Sequence, residues 1–149
     1  MLGFKNFHER LLNLSISHTW RGHGSAIFLE LGYLSPSTKL DGSAGEPTGE
    51  VSIMLPWSWR IEKPRSILGG SWSSDRKITS LLSVLRGHTV TEAALFGRLP
   101  ELHLSLSNGF HVLSFMTAEG QPEWAIICTS LGATLCVKRG QIVLESLAT

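Results

Sequence analysis

Glu101, His103 and Ser105 are the residues whose types and spacing come nearest to a catalytic set in this 149-residue chain. On a β-strand, residues two apart share one face, and an acid, a histidine and a hydroxyl are the parts of a nucleophilic triad. Same-face neighbours on one strand are, however, about 6–7 Å apart, which is too far for direct hydrogen bonds. No catalytic residue is therefore predicted, and a solvated polar strand face is the simpler interpretation.

Metal binding is the second chemistry to consider, because the chain has six histidines. His18 and His23 are five residues apart, but no third ligand follows at a recognisable spacing, and a zinc site needs three or four ligands. Neither a His-Glu-x-x-His nor a Cys-x-x-Cys pattern occurs. We predict no metal and no cofactor, and we expect His111 to be a partly buried histidine.

The two cysteines, Cys128 and Cys136, lie symmetrically about Gly132 and are expected to be cross-strand neighbours. A disulfide between them is geometrically conceivable, but free thiols fit a cytoplasmic protein better. The N-terminus has no signal-peptide layout, and no apolar run reaches the ~18 residues of a transmembrane helix. We therefore predict a cytoplasmic protein without membrane contact.

The segment 57–77 holds three of the five tryptophans and five basic residues. Tryptophan and arginine are enriched at interface hot spots, which favours a protein partner or a homodimer. Basic and aromatic residues together can also bind single-stranded nucleic acid. Nucleic acid is nevertheless disfavoured, because Trp57 and Trp59 share the strand face opposite Arg60 and are expected to enter the core. The predicted binding residues are Trp57, Trp59, Arg60, Glu62, Trp72, Glu101, His103, His111 and Trp124.

Two helices are predicted to support these residues. Residues 4–14 carry a tolerable apolar face. The second helix follows Ser73-Ser74-Asp75, which offer N-cap candidates, and Gly87 is placed to end it. Its apolar stripe is Ile78, Leu81, Leu82 and Leu85.

Strands are predicted between and after the helices. Their ranges are 25–31, 50–55, 57–62, 66–72, 90–96, 101–115 as a hairpin, 124–129, 133–138 and 142–145. In 57–62 the apolar residues Trp57, Trp59 and Ile61 alternate with polar ones, as in a half-buried strand. Residues 35–50 are rich in turn formers and are expected to be a long loop.

Asn108-Gly109 is a strong signal for a two-residue hairpin loop. That loop pairs Ser107 with Phe110, and consequently places His111 opposite Leu106 and Ser114 opposite His103. One predicted face is apolar (Leu102, Leu104, Leu106, Leu113 and Phe115). The other carries Glu101, His103, Ser105, Val112 and Ser114.

These elements predict a single α+β domain over residues 1–149, mainly antiparallel sheet with one or two helices packed on it. Two pseudo-repeated αβ halves, 4–72 and 73–147, are one interpretation, since Trp59-Arg60-Ile61 corresponds to Trp124-Ala125-Ile126. The alternative is that tryptophan-bearing hairpins look alike. A net charge of +1 excludes bulk electrostatic binding. Charged residues make up 17%, below the roughly 25% of average domains, which indicates a covered surface around the tryptophans.

Five motifs stand out in the second part of the chain. They are Trp-Ser-Trp-Arg-Ile-Glu (57–62), Gly-Ser-Trp-Ser (70–73), Leu-Phe-Gly-Arg-Leu-Pro-Glu-Leu (95–102), Leu-Ser-Asn-Gly (106–109) and Ser-Phe-Met-Thr-Ala-Glu-Gly-Gln-Pro-Glu-Trp (114–124). Together they resemble an uncharacterised family of small bacterial proteins. The resemblance covers roughly residues 50–145 and implies a bacterial source. It also implies an intracellular domain without an assigned activity, of the accessory or toxin-neutralising kind, and it assigns no residue roles.

The sequence therefore favours a non-enzymatic partner-binding or regulatory module, of an immunity-protein-like kind. One alternative is a small enzyme or ligand-binding protein with a pocket near Glu101, His103 and His111. The other is nucleic-acid binding through the basic segment from Arg60 to Lys77.

Overall fold

The computed structural model of the chain describes residues 1–119 and 123–147. Within them lie two helices, α1 (Phe4–Leu11) and α2 (Asp75–Leu85). The strands are β1 (Ile16–Arg21), β2 (Ile27–Ser35), β3 (Thr48–Leu55), β4 (Trp59–Lys63), β5 (Ser66–Gly70), β6 (Val90–Phe96), β7 (Glu101–Leu106), β8 (His111–Ser114), β9 (Ala125–Cys128), β10 (Ala133–Lys138) and β11 (Gln141–Ser146).

The strands form two sheets in which all neighbours are antiparallel. One sheet has the order β1-β2-β3-β9-β10-β11 and the other the order β5-β4-β8-β7-β6. The prediction of a mainly antiparallel fold is confirmed. The α+β class fits only loosely, because two short helices accompany a protein that is mostly strand.

Each sheet combines strands from both halves of the chain. In the six-stranded sheet, β3 of the unit β1-β2-β3 pairs with β9, and β10 lies next to β9. In the five-stranded sheet, β8 of the unit β6-β7-β8 pairs with β4, and β5 lies next to β4. The strand pairs that follow each three-stranded unit therefore join the opposite sheet. β11 has no counterpart in the five-stranded sheet and forms a free edge of the six-stranded one.

Helix α2 follows the local signals closely. The Ser74 hydroxyl accepts a hydrogen bond from the Lys77 backbone N–H at 3.2 Å, as an N-cap residue does. Gly87, just past the helix, has φ +89, a conformation that glycine adopts without penalty. The predicted stripe is buried. Helix α2 packs beside β1 and β5, and α1 packs beside β6.

The core lies between the inner faces of the two sheets. Leu29, Ile53 and Ile126 are adjacent across β2, β3 and β9, and each is fully buried. Leu104 and Val112 form the matching row on the other sheet. Each such side chain contributes about 1.5–3 kcal/mol of transfer free energy, so these rows set which strand faces point inward.

Several element boundaries differ from the sequence predictions, and one strand was missed. Strand β1 was missed, because Ile16–Arg21 shows no apolar alternation; buried Thr19 instead donates to the Leu82 carbonyl oxygen at 2.9 Å. The long loop is shorter than 35–50, spanning 36–47. It is ordered by a bridge between Thr38 and Ala44.

The predicted register of the β7–β8 hairpin is wrong by one residue. The Leu106 N–H donates to the Phe110 carbonyl, so the loop has three residues, 107–109. Ser105 therefore faces His111, and His103 faces Leu113 rather than Ser114. A one-residue slip exchanges the faces of a strand, which places Val112 and Ser114 on the buried side.

The cause of the slip is a contact outside the hairpin. The Ser107 N–H donates to the Thr89 carbonyl oxygen at 2.9 Å, and the Ser107 hydroxyl accepts from the Thr89 N–H at 3.0 Å. Ser107 is thereby held against Thr89, the residue just before β6, and does not pair with Phe110. Gly109, at φ +83, completes the three-residue loop.

The expectation that the cysteines are cross-strand neighbours is also wrong. Cys128 faces Ala133 and Cys136 faces Ala125, so the two thiols lie on opposite faces of the six-stranded sheet. Both are free and buried. No helix in the described part of the chain has both the length and the apolar character needed to cross a membrane.

Candidate binding surface

Four exposed apolar side chains lie around the end of β5 and β8. Trp72 is 95% exposed, Ile67 61%, Phe115 44% and Trp57 43%. We call these four residues the aromatic surface. They border two neighbouring grooves that share Trp72. Large exposed side chains grouped in this way mark interaction sites more often than isolated ones do.

A tight turn presents Trp72. The Ser73 N–H donates to the Gly70 carbonyl oxygen at 2.9 Å, and the Ser73 hydroxyl accepts from the Gly70 N–H at 3.0 Å. Ser71 donates its N–H to the Trp59 carbonyl oxygen at 3.0 Å. The turn is thus fixed on both sides, and Trp72 at its tip points away from the core.

The larger groove, of about 370 Å³, is lined in part by Gly69 and Gly70, and Gly70 lies close against the neighbouring strand. A Cβ atom at Gly70 would lie 2.7 Å from the Trp59 carbonyl oxygen, a contact that backbone atoms do not tolerate. Ile67, Trp72 and Phe115 stand around this hollow. The second groove, of about 290 Å³, lies between Trp57 and Trp72.

The predicted alternation in 57–62 holds only from Trp59 onward. Trp57 precedes β4 in the crossing from one sheet to the other and is exposed rather than inward-facing. Trp59 is buried and donates its indole N–H to the Ser25 carbonyl oxygen at 2.7 Å. Trp124 is buried too, with its indole N–H on the Pro100 carbonyl oxygen at 3.0 Å. Because both side chains are buried, Trp59 and Trp124 are not accessible to a partner, and their prediction as binding residues is not supported.

Arg60 and Glu62 lie beside the hollow on the outer face of β4. The Arg60 Nε donates to Glu62 Oε2 at 2.7 Å, and its guanidinium carbon lies 5.1 Å from the centre of the Phe115 ring. A cation over an aromatic face contributes about 0.5–1 kcal/mol at an exposed site. This contact holds Phe115 at the border of the groove.

The other predicted polar residues form a separate cluster on the same sheet. His103 Nε2 lies 2.9 Å from His111 Nδ1, and Ser105 Oγ lies 3.2 Å from that same atom. The register slip brings these three side chains together. Burial lowers the pKa of His103, the nearby His111 charge lowers it further, and the Glu62 charge acts in the opposite direction.

Glu101 does not join this cluster. Its carboxylate accepts from the Ser114 hydroxyl at 2.7 Å and from the Met116 N–H at 2.7 Å. Glu62, the cross-strand neighbour of His111, is bonded to Arg60. Among the described residues, no carboxylate therefore hydrogen-bonds the histidine pair as the orienting acid of a triad does. The grooves of the aromatic surface also do not reach His103 or His111.

A trough of about 690 Å³ lies on the outer face of the six-stranded sheet, and the sequence patterns did not predict it. Met54 and Ile127 lie on its floor beside Cys136. Desolvation raises the pKa of the Cys136 thiol, and its hydrogen bond to Glu145 raises it further. A thiol with a raised pKa is a poor nucleophile at neutral pH.

Sequence reasoning missed Phe115 and Ile67 as surface residues. Phe115 was assigned to the apolar face of β8 by the incorrect register, and Ile67 carried no distinguishing signal. Among the described residues, no three histidine, cysteine, aspartate or glutamate side chains are grouped to hold a metal ion.

Comparison of the chain with models of known protein families, with curated proteins and with solved structures finds no match. The resemblance to a family of small bacterial proteins therefore stays a prediction. Functional inference has to come from the geometry of the chain's own residues.

Proposed function

We propose that this protein is a non-enzymatic partner-binding module and that the aromatic surface is where a protein partner docks. The observation that carries the proposal is Trp72, which is 95% exposed beside an apolar hollow. Burying about 200 Å² of an aromatic side chain contributes up to roughly 5 kcal/mol. A partner that covered Trp72 and filled the hollow would gain a hot spot of the usual kind.

The proposal includes a regulatory or immunity-protein-like role, since a module of this kind acts by occupying its partner. It also includes a cytoplasmic location, which the two free thiols support.

An enzyme or small-ligand site near His103 and His111 is less well supported. Ser105 has a histidine within hydrogen-bond reach, as a nucleophile needs. The same His111 nitrogen is already shared with His103, and the Glu101 carboxylate is engaged by Ser114 and Met116. A hydrogen-bonded polar cluster on a sheet face accounts for these contacts.

We also propose that the fold contains two pseudo-repeated halves. The order β1-β2-β3-β9-β10 matches the order β6-β7-β8-β4-β5, and a helix precedes each three-stranded unit. Trp59 and Trp124, which correspond in this scheme, make equivalent hydrogen bonds. These correspondences support a pseudo-two-fold arrangement with the Trp72 turn closing the first half.

Site-specific photo-crosslinking tests the docking surface. A benzophenone amino acid replaces Phe115, and in a matched control it replaces Tyr33, an aromatic residue that is 78% exposed on the other sheet. In cells of the source organism, we expect position 115 to trap a defined protein that position 33 does not. Adding Trp72→Ser to the position 115 variant should abolish the product.

Two results would contradict the proposal. One is the same set of products from positions 115 and 33. The other is a position 115 product whose yield does not change with Trp72→Ser.

A further inference from the structure

The charge of the chain is unevenly distributed. Residues 57–77 contain five basic and two acidic side chains, whereas the rest contains eight basic and ten acidic ones. Both acids in this segment are already paired: Glu62 with Arg60 at 2.7 Å and Asp75 with Arg21 at 2.9 Å. The segment therefore presents a surplus of positive charge to solvent.

Four basic residues of this segment make no ion pair within the described parts of the chain: Lys63, Arg65, Arg76 and Lys77. All four are exposed. Lys63 and Arg65 lie at the turn before β5, whereas Arg76 and Lys77 begin α2 just after Trp72. Strand β5, whose five residues span about 16 Å, lies between the two pairs along the chain.

The apolar hollow is lined in part by residues that lie between the two basic pairs in the sequence. Ile67 and Gly70 belong to β5 itself, and Trp72 follows it directly. We infer that the partner docks on this surface through an acidic polypeptide segment, with an apolar side chain in the hollow at Gly70 and carboxylates facing the basic residues at both ends of β5. This inference rests on the proposed function and adds the chemistry of the partner.

A second copy of this chain fits the surface less well. In a two-fold contact the same surface patch is used on both copies. The basic patch of one copy would therefore lie against the basic patch of the other. Like charges brought together in an interface disfavour that partner. Charge complementarity instead selects an acidic segment.

Single-stranded nucleic acid is the other anionic polymer to consider. It binds through successive bases stacked on open aromatic faces along a positively charged groove. Here Phe115 already carries the Arg60 guanidinium at 5.1 Å, and the Glu62 carboxylate lies beside it. The hollow is bordered by the aliphatic Ile67 and by glycine backbone as well as by Trp72 and Phe115, so it offers one unoccupied aromatic ring, Trp72, and no row of stacking faces. These features suit an apolar side chain better than a phosphate backbone.

Fluorescence anisotropy with labelled probes tests the inference on the intact chain. The probes are a random copolymer of glutamate and tyrosine, poly-glutamate of matched length, and oligo-deoxythymidine. At low ionic strength the copolymer should bind at least about tenfold more tightly than either other probe, because it alone supplies both carboxylates and apolar side chains. Added salt should weaken its binding.

Paired variants connect the binding to the named residues. Trp72→Ser should weaken copolymer binding about 30-fold, the effect of losing one hot spot. Arg65→Glu combined with Arg76→Glu should weaken it about tenfold. The matched controls are Tyr33→Ser and the double variant Lys5→Glu/Lys39→Glu, which changes the net charge equally on other surfaces; neither should alter binding.

The outcomes separate this inference from the proposed function. The acidic-segment inference is overturned if the copolymer does not bind, or if it binds with the same affinity as poly-glutamate. Neither result contradicts the docking surface, which the crosslinking experiment tests separately. Tighter binding of oligo-deoxythymidine with the same variant dependence assigns the surface to nucleic acid. If the yield of the position 115 crosslink does not change with Trp72→Ser, the proposal that the aromatic surface is the docking site is overturned.

Discussion

Trp59 and Trp124 make the same hydrogen bond from opposite sheets. Each indole is buried, and each donates to the carbonyl oxygen of a residue just before a strand: Ser25 before β2 at 2.7 Å, and Pro100 before β7 at 3.0 Å. Each tryptophan stands at the start of the strand that joins the other half's sheet. The two bonds therefore fix the places where the chain changes sheets.

Replacing either tryptophan by phenylalanine should destabilise the fold to a similar extent. The ring stays buried, but a carbonyl oxygen loses its donor, at a cost of about 1–3 kcal/mol. The free energy of unfolding from urea titration checks this for Trp59→Phe and Trp124→Phe. Trp57→Phe is the control, and its stability should lie within about 0.5 kcal/mol of the original. A large loss for only one of the two buried positions would contradict their equivalence.

Glu30 is a buried acid whose carboxylate organises the outer face of the six-stranded sheet. It accepts from the Trp20 indole at 2.8 Å, from the Gly49 N–H at 3.0 Å and from the Ser52 hydroxyl. Glu30→Ala should cost at least about 2 kcal/mol, because buried donors lose their acceptor. Calorimetry measures the loss, with Glu50→Ala, an exposed acid on β3, as a milder comparison. Equal effects would contradict a structural role for Glu30.

The histidine pair should make stability depend on pH. Burial and the His111 charge lower the pKa of His103, so the folded state disfavours the protonated ring relative to the unfolded chain. The stabilisation is complete above the unfolded pKa of about 6.5 and is lost as the pH falls from there through the folded pKa. In urea titrations between pH 5 and pH 7, His103→Gln should flatten the fall of the unfolding free energy.

His23→Gln is the matched control, because His23 is exposed in a loop. It should leave the pH profile of the original chain unchanged. A profile that flattens equally in both variants would contradict the assignment to His103.

Gly109 tests the backbone conformation of the loop between β7 and β8. Its φ of +83 is needed for the three-residue loop, while the nearest atom to an added Cβ is Pro64 Cγ at 3.8 Å. Gly109→Ala should therefore cost about 1–2 kcal/mol through backbone strain alone. Gly109→Asn should cost less, since asparagine tolerates this conformation. Thermal unfolding orders the three proteins, and equal losses for Ala and Asn would indicate crowding instead of strain.

Sequence patterns correctly predicted the elements whose formation depends on interactions between residues close together in the sequence. Helix α2 was found with its cap and stripe because Ser74 and the residues from Ile78 to Leu85 interact within a few turns. The strand ranges after residue 90 were close for the same reason, since alternating burial is encoded residue by residue. The mainly antiparallel character followed from these hairpins.

The features that sequence patterns did not predict depend on contacts between residues far apart in the sequence. The hairpin loop length depends on Thr89, which makes two hydrogen bonds to Ser107 from outside the hairpin. The resulting register places His111 beside His103. The exposure of Trp57 depends on the chain crossing between two sheets at that point. The hollow at Gly70 depends on Trp59 and Phe115 arriving from other strands.

Because strands are exchanged between the two sheets, some strands are synthesised on the ribosome long before their pairing partners. β3 keeps an open edge until β9, about 70 residues later in the chain, has emerged. At about 5–20 residues per second, that interval lasts roughly 4–14 s. An unpaired strand edge is a template for aggregation. During translation, this edge of β3 is therefore open to aggregation until β9 pairs with it.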